Sequence, residues 1–99
     1  MEGMIINMVN NIFILPEKVN ISAIESLKEE FINFIKNNNE IAIDASIVEE
    51  IDAAGFQLIL SFHKLCILQS KEFYIFEASN VLRNALELCG LVELIKAEY

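Results

Sequence analysis

The sequence predicts an α/β sandwich: an initial β-hairpin, then alternating helices and strands, over a mixed sheet of four to five strands. Three observations predict it. Apolar runs of strand length, at Met4–Val9, IFIL, EIAIDA and KEFYIFEA, alternate with longer stretches whose apolar residues recur at helical intervals. Each helical stretch starts beside a residue type that caps helices, Ser22, Asp52 or Ser79. The 99 residues suit one domain, 1–99, with a single core.

Met4 to Val9 reads as a strand, and after Asn10-Asn11 the run IFIL repeats the signal until Pro16, which cannot donate a ladder bond. A hairpin with a tight asparagine turn is expected. Ser22 and Glu25 have the capping-box spacing, and Ile24, Leu27, Phe31, Ile32, Phe34 and Ile35 follow at helical intervals, which predicts a helix over about Ile21 to Lys36. EIAIDA, Glu40 to Ala45, is a buried strand, and Ile47 to Ile51 a connection. From Asp52 the chain reads as a helix to about Gln69, since nothing breaks it after Gly55. Glu72 to Phe76 is a strand, Ser79 caps the next helix, and Gly90 fits a left-handed stop. The tail LVELIKAEY is a short strand or a helical turn.

Fifteen acidic and seven basic residues leave a net charge of −8 in a chain that is 55% apolar, which opposes binding to nucleic acid. Cys66 and Cys89 lie in apolar helical patterns with no ligand spacing, so two buried, reduced cysteines are expected. MEGMIINMVNN lacks a basic region before a long apolar core, and no apolar run approaches about eighteen residues. A cytoplasmic protein without direct membrane insertion is expected.

The stretch IDAAGFQLIL joins an acidic segment to a helical run without a hydroxyl or thiol. Asp52 precedes the helix, where its carboxylate accepts from the free N–H groups of the first turn. Ala53, Ala54 and Gly55 leave that turn bare, so another backbone or side chain has room to approach. Asp44, Glu49, Glu50 and Asp52 crowd one rim on this reading, which suits a basic partner or a metal and resists phosphate. Ser46 is a nearby hydroxyl that suits a turn bond.

The run IAIDASIVEEIDAAGFQLILSFHKL, followed by FYIFEASNVLRNALELCGLVELI, resembles the STAS domain of sulfate transporters and anti-sigma factor antagonists. The resemblance covers about residues 41–95 and rests on the strand ending in Asp44, the Asp52-x-x-Gly55 turn, and the block of Leu86, Gly90 and Leu91. In that family the turn commonly reads Asp-Ser-Ser-Gly or Asp-Thr-x-Gly, and a partner kinase phosphorylates the hydroxyl after Asp to abolish binding. The equivalent position is Ala53, which cannot be phosphorylated, and Ala54 offers no substitute. Alanine there resembles the permanently unmodified, binding-competent state. Ala54-Gly55-Phe56-Gln57-Leu58 also looks like STAS proteins encoded with chemotaxis kinases.

The resemblance implies a non-enzymatic regulatory module without cofactor or metal. Its partner would be a kinase-like ATPase, either an anti-sigma factor or a chemotaxis-type histidine kinase. Contact would run through Asp44, Ser46, Glu49, Asp52, Ala53, Ala54, Gly55, Phe56 and Leu60. An alternative is the STAS subunit of an ABC-type lipid transport complex, binding its ATPase. A metal-dependent enzyme built on the four carboxylates, and an oligomer formed through Phe56, Leu60 and Ile67, are separate readings.

At about 100° per residue, Ala54, Leu58, Phe62, Leu65 and Cys66 form a stripe toward the sheet. Phe56, Leu60 and Ile67 lie off it, covered by a neighbouring helix or left as a docking face. His63 has no triad partner at a recognisable spacing and is expected to face solvent or be partly buried. Phe31, Phe34, Phe73 and Phe76 fall on core patterns rather than on a base-stacking platform.

Overall fold

A computed structural model describes residues 12–95. The strand expected over residues 4–9 and the Asn10-Asn11 turn lie outside the described residues. Strand β1, Ile12–Ile14, pairs in parallel with β3, Glu40–Ala45, and β3 pairs in parallel with β5, Glu72–Ala78, giving the order β1-β3-β5. The central strand β3 is buried at Ile41, Ala42, Ile43 and Ala45, as a parallel strand covered on both sides requires. Its register with β5 slips once, from Ile43 opposite Ile75 to Asp44 opposite Glu77, so Phe76 is the extra residue of a bulge.

A second, two-stranded sheet pairs β2, Lys18–Val19, with β4, Glu50–Ile51. Sequence reading makes Ile47–Ile51 a plain connection, because two residues carry no periodicity. Pairing with a segment some thirty residues earlier makes a strand of its last two residues.

Helix α1, Ile24–Ile35, follows a 3₁₀ turn at Ile21–Ala23. The capping-box expectation at Ser22 needs correction: Asn20 caps the turn, its Oδ1 accepting from the Ser22 N–H at 3.0 Å, and α1 itself has Ala23 at its N-cap position, with no side-chain cap. Helix α2, Ala53–Leu68, and helix α3, Asn80–Leu88, are capped by Asp52 and Ser79 as expected. Phe13 of β1 touches Phe31 and Phe34 of α1 and Phe62 of α2, which places both helices on one face of the sheet. Phe31 and Phe62 stack at 3.8 Å and 8°, so α1 and α2 meet through rings buried to 0% and 3% exposure.

The stripe of α2 is wider than its sequence suggests. Leu58, Phe62 and Cys66 are buried and Leu65 is packed on the core as expected, but Gly55 and Ile59 are buried too, because α2 covers the sheet while α1 lies alongside. Phe56 and Leu60 are half-buried, Phe56 against the core, and Ile67 is exposed.

Helices α2 and α3 end alike. The Leu91 N–H donates to the Leu86 carbonyl and Gly90 to Glu87, with Gly90 at φ 71, the left-handed stop expected there. In α2 the Lys71 N–H donates to Cys66 and Ser70 to Ile67, but the left-handed residue is Ser70, at φ 59. The tail forms a 3₁₀ turn at Val92–Leu94, and Ile95 bridges in parallel to Ile75. Cys66 is buried and Cys89 exposed, both free. The expectation of two buried cysteines fails at Cys89 because α3 ends one residue earlier, so the apolar helical pattern stops short of it.

Candidate functional site

The short β2–β4 pairing brings the start of α1 against the start of α2. Asp52 leaves β4 in an extended conformation, φ −106 and ψ −177, and begins α2. Its Oδ1 accepts from the Gly55 N–H at 2.7 Å and its Oδ2 from the Ile21 N–H at 3.0 Å. One carboxylate thus holds two helical starts, its own and that at Ile21, thirty-one residues before Asp52. The Gly55 N–H bond holds its carboxyl below the usual value; burial opposes this in part, and the Ile21 N–H adds to the lowering.

The neighbouring polar groups are tied down in the same way. Asn20 Nδ2 donates to Glu50 Oε2 at 2.9 Å while its Oδ1 serves the 3₁₀ turn. Asp44 Oδ1, at the end of β3, accepts from the Ser46 N–H at 2.9 Å, the turn role expected of Ser46. The N–H groups of Glu49 and Glu50 both donate to the Glu17 carbonyl, at 2.8 and 3.0 Å. Among the described residues no three His, Cys, Asp or Glu side chains group so as to hold a metal ion. The four carboxylates of Asp44, Glu49, Glu50 and Asp52 therefore do not converge, because three of them bond to different partners.

The bare turn divides into an outer and an inner half. Ala53 is exposed, and Ala54 is half-buried in a groove of about 440 Å³ between α1 and α2, with Ile21, Ile24 and Gln57. Gly55 is buried, and the backbone that approaches it is that of Val19 in β2. The room expected at this glycine is filled by the chain itself. Among the expected contact residues, Ser46, Glu49 and Ala53 are exposed, whereas Asp44, Asp52, Ala54, Phe56 and Leu60 are half-buried.

Asn20 and Ile21 belong to this turn and escape sequence reading, although Asn20 two residues before Ser22 is a readable side-chain-to-backbone turn. Ile21 is 72% exposed beside Ala54. His63 is half-buried, within its expected placement, and lies against the Phe73 ring with centroids 5.2 Å apart. No helix among the described residues is long and apolar enough to cross a membrane.

A family model, the STAS domain, matches residues 5–98. Neither curated proteins nor solved structures give a match to the chain. STAS domains are regulatory or binding modules, generally non-catalytic, that mediate protein–protein interaction. The parallel strands and three helices of the described residues agree with the match over nearly the whole length, and the chain belongs to the STAS domain family.

Proposed function

We propose that this STAS domain is a cytoplasmic, non-enzymatic antagonist-like module. It docks on a kinase-like ATPase, an anti-sigma factor or a chemotaxis-type histidine kinase, through the Asp52-Ala53-Ala54-Gly55 turn. The observation that supports this reading most is the exposure of Ala53 at the first position of α2, beside an Asp52 whose two oxygens are already bonded inside the chain. Ala53 is therefore the residue a partner meets, and Asp52 shapes the turn. Relatives that carry a hydroxyl at this position add nearly two negative charges there on phosphorylation, which repels an acidic surface or unseats a close fit. With alanine the module stays in its binding state, and control passes to abundance or competition.

Retention of proteins from a lysate of the source cell, compared between the native domain and Ala53→Asp and identified by mass spectrometry, tests this. A kinase-like ATPase held by the native domain and released by the variant is expected. An ATPase subunit of an ABC transporter held instead would move the protein to lipid transport. Equal retention by both forms would remove the Ala53 turn as the contact surface.

A further inference from the structure

We propose that the open groove at the carboxyl ends of β1 and β3 is a second docking surface, and that it takes an apolar side chain carried on a basic segment of a partner protein. The groove holds about 690 Å³ between the exit of β1, the outer side of α1 and the loop after β3. Its floor is core, Leu15 at 0% and Leu27 at 4% exposure, and its lining includes Ile14 and Ile47, 57% and 48% exposed. Two exposed β-branched side chains beside an apolar floor leave apolar area in water, as at the centre of an interface.

Charge selects the occupant. Glu17 and Glu30 line the groove, and the backbone of Glu49 and Glu50, just after Ile47, is bonded to the Glu17 carbonyl. Lys18 is the one cation of the lining. This acidic rim, on a chain of net charge −8, repels nucleic acid, an anionic membrane and a second copy of itself, and attracts lysine and arginine. The proposal rests on the family's role as a binding module but not on the Ala53 turn, which lies at the start of α2 and contributes nothing to this groove.

Amide NMR shifts of the full chain, titrated with three synthetic peptides of equal length, test it. One carries Lys and Arg around a Leu-Ile pair, one the same cations around Gly-Ser, and one Glu around Leu-Ile. Saturable shifts of Ile14, Lys18, Leu27 and Ile47 with the first peptide alone are expected, weakening as salt is raised. Ile47→Glu, at an exposed loop position, is expected to weaken that binding by about tenfold or more, and Glu17→Gln by less. Shifts elsewhere, an equal response to the acidic or Gly-Ser peptide, or indifference to Ile47→Glu would overturn the proposal. So would concentration-dependent shifts of these amides without peptide, which would assign the groove to a second copy. Ala53→Asp is expected to keep peptide binding, so failure of the groove and failure of the Ala53 contact show in different experiments.

Discussion

The backbone of Val19 closes over Gly55, so that a Cβ at Gly55 would overlap the Val19 carbonyl oxygen and stand 2.9 Å from its Cγ1. The same carbonyl accepts from the N–H of Asp52, the residue after β4, at 3.4 Å. The glycine of the family's turn therefore serves here as the seat of a strand. Gly55→Ala must move β2 or the start of α2, and an overpacked site of this kind costs about 1–3 kcal/mol or more. Thermal unfolding followed by circular dichroism is expected to show a midpoint lowered by several degrees; an unchanged midpoint would mean that β2 lifts away freely.

Asp52→Asn separates the charge of the cap from its shape. Because the folded state lowers the carboxyl's pKa, the ionised form adds stability above the unfolded value, near pH 4, and that contribution is lost as pH falls through the lower folded value. Urea unfolding is expected to show the native domain ahead of the variant near neutral pH, with the gap closing in strong acid. A gap independent of pH would show that charge plays no part in the clasp.

The two thiols should react differently. Burial pushes Cys66 up to about 11, against a smaller opposing effect of the Lys71 charge, whereas Cys89 is exposed. A maleimide is expected to label Cys89 in the folded protein and Cys66 only after denaturant is added. A raised thiol pKa keeps its full contribution below the unfolded value, about 8.5, and loses it as pH rises toward 11. Cys66→Ala should therefore flatten the alkaline loss of stability.

Ser70 holds the left-handed position that glycine fills at the end of α3. Ser70→Gly should remove a strain of about 1 kcal/mol, raising the midpoint by about 4–8 °C. Next to it, Lys71 Nζ donates to the carbonyls of Ile35 and Asn38 at 2.7 and 2.6 Å, placing a cation at the end of α1. Lys71→Met should reverse the gain of Ser70→Gly by leaving those carbonyls without that donor.

The strands β1, β3 and β5, the helix α2 with its cap at Asp52, the stop at Gly90 and the bare turn at Ala53 are legible in the sequence. They depend on neighbours a few residues away, through apolar period, cap chemistry and the φ that glycine tolerates. The β2–β4 pair and the second bond of Asp52 are decided by tertiary structure alone. A two-residue strand has no period of its own, and it forms because Lys18–Val19 and Glu50–Ile51 meet across about thirty residues. That meeting explains why Gly55 must be glycine and why Ile21 stands beside Ala54. Spacing along the chain marks where the turn begins; only the approach of β2 shows that its inner half faces the protein and its outer half, at Ala53, faces solvent.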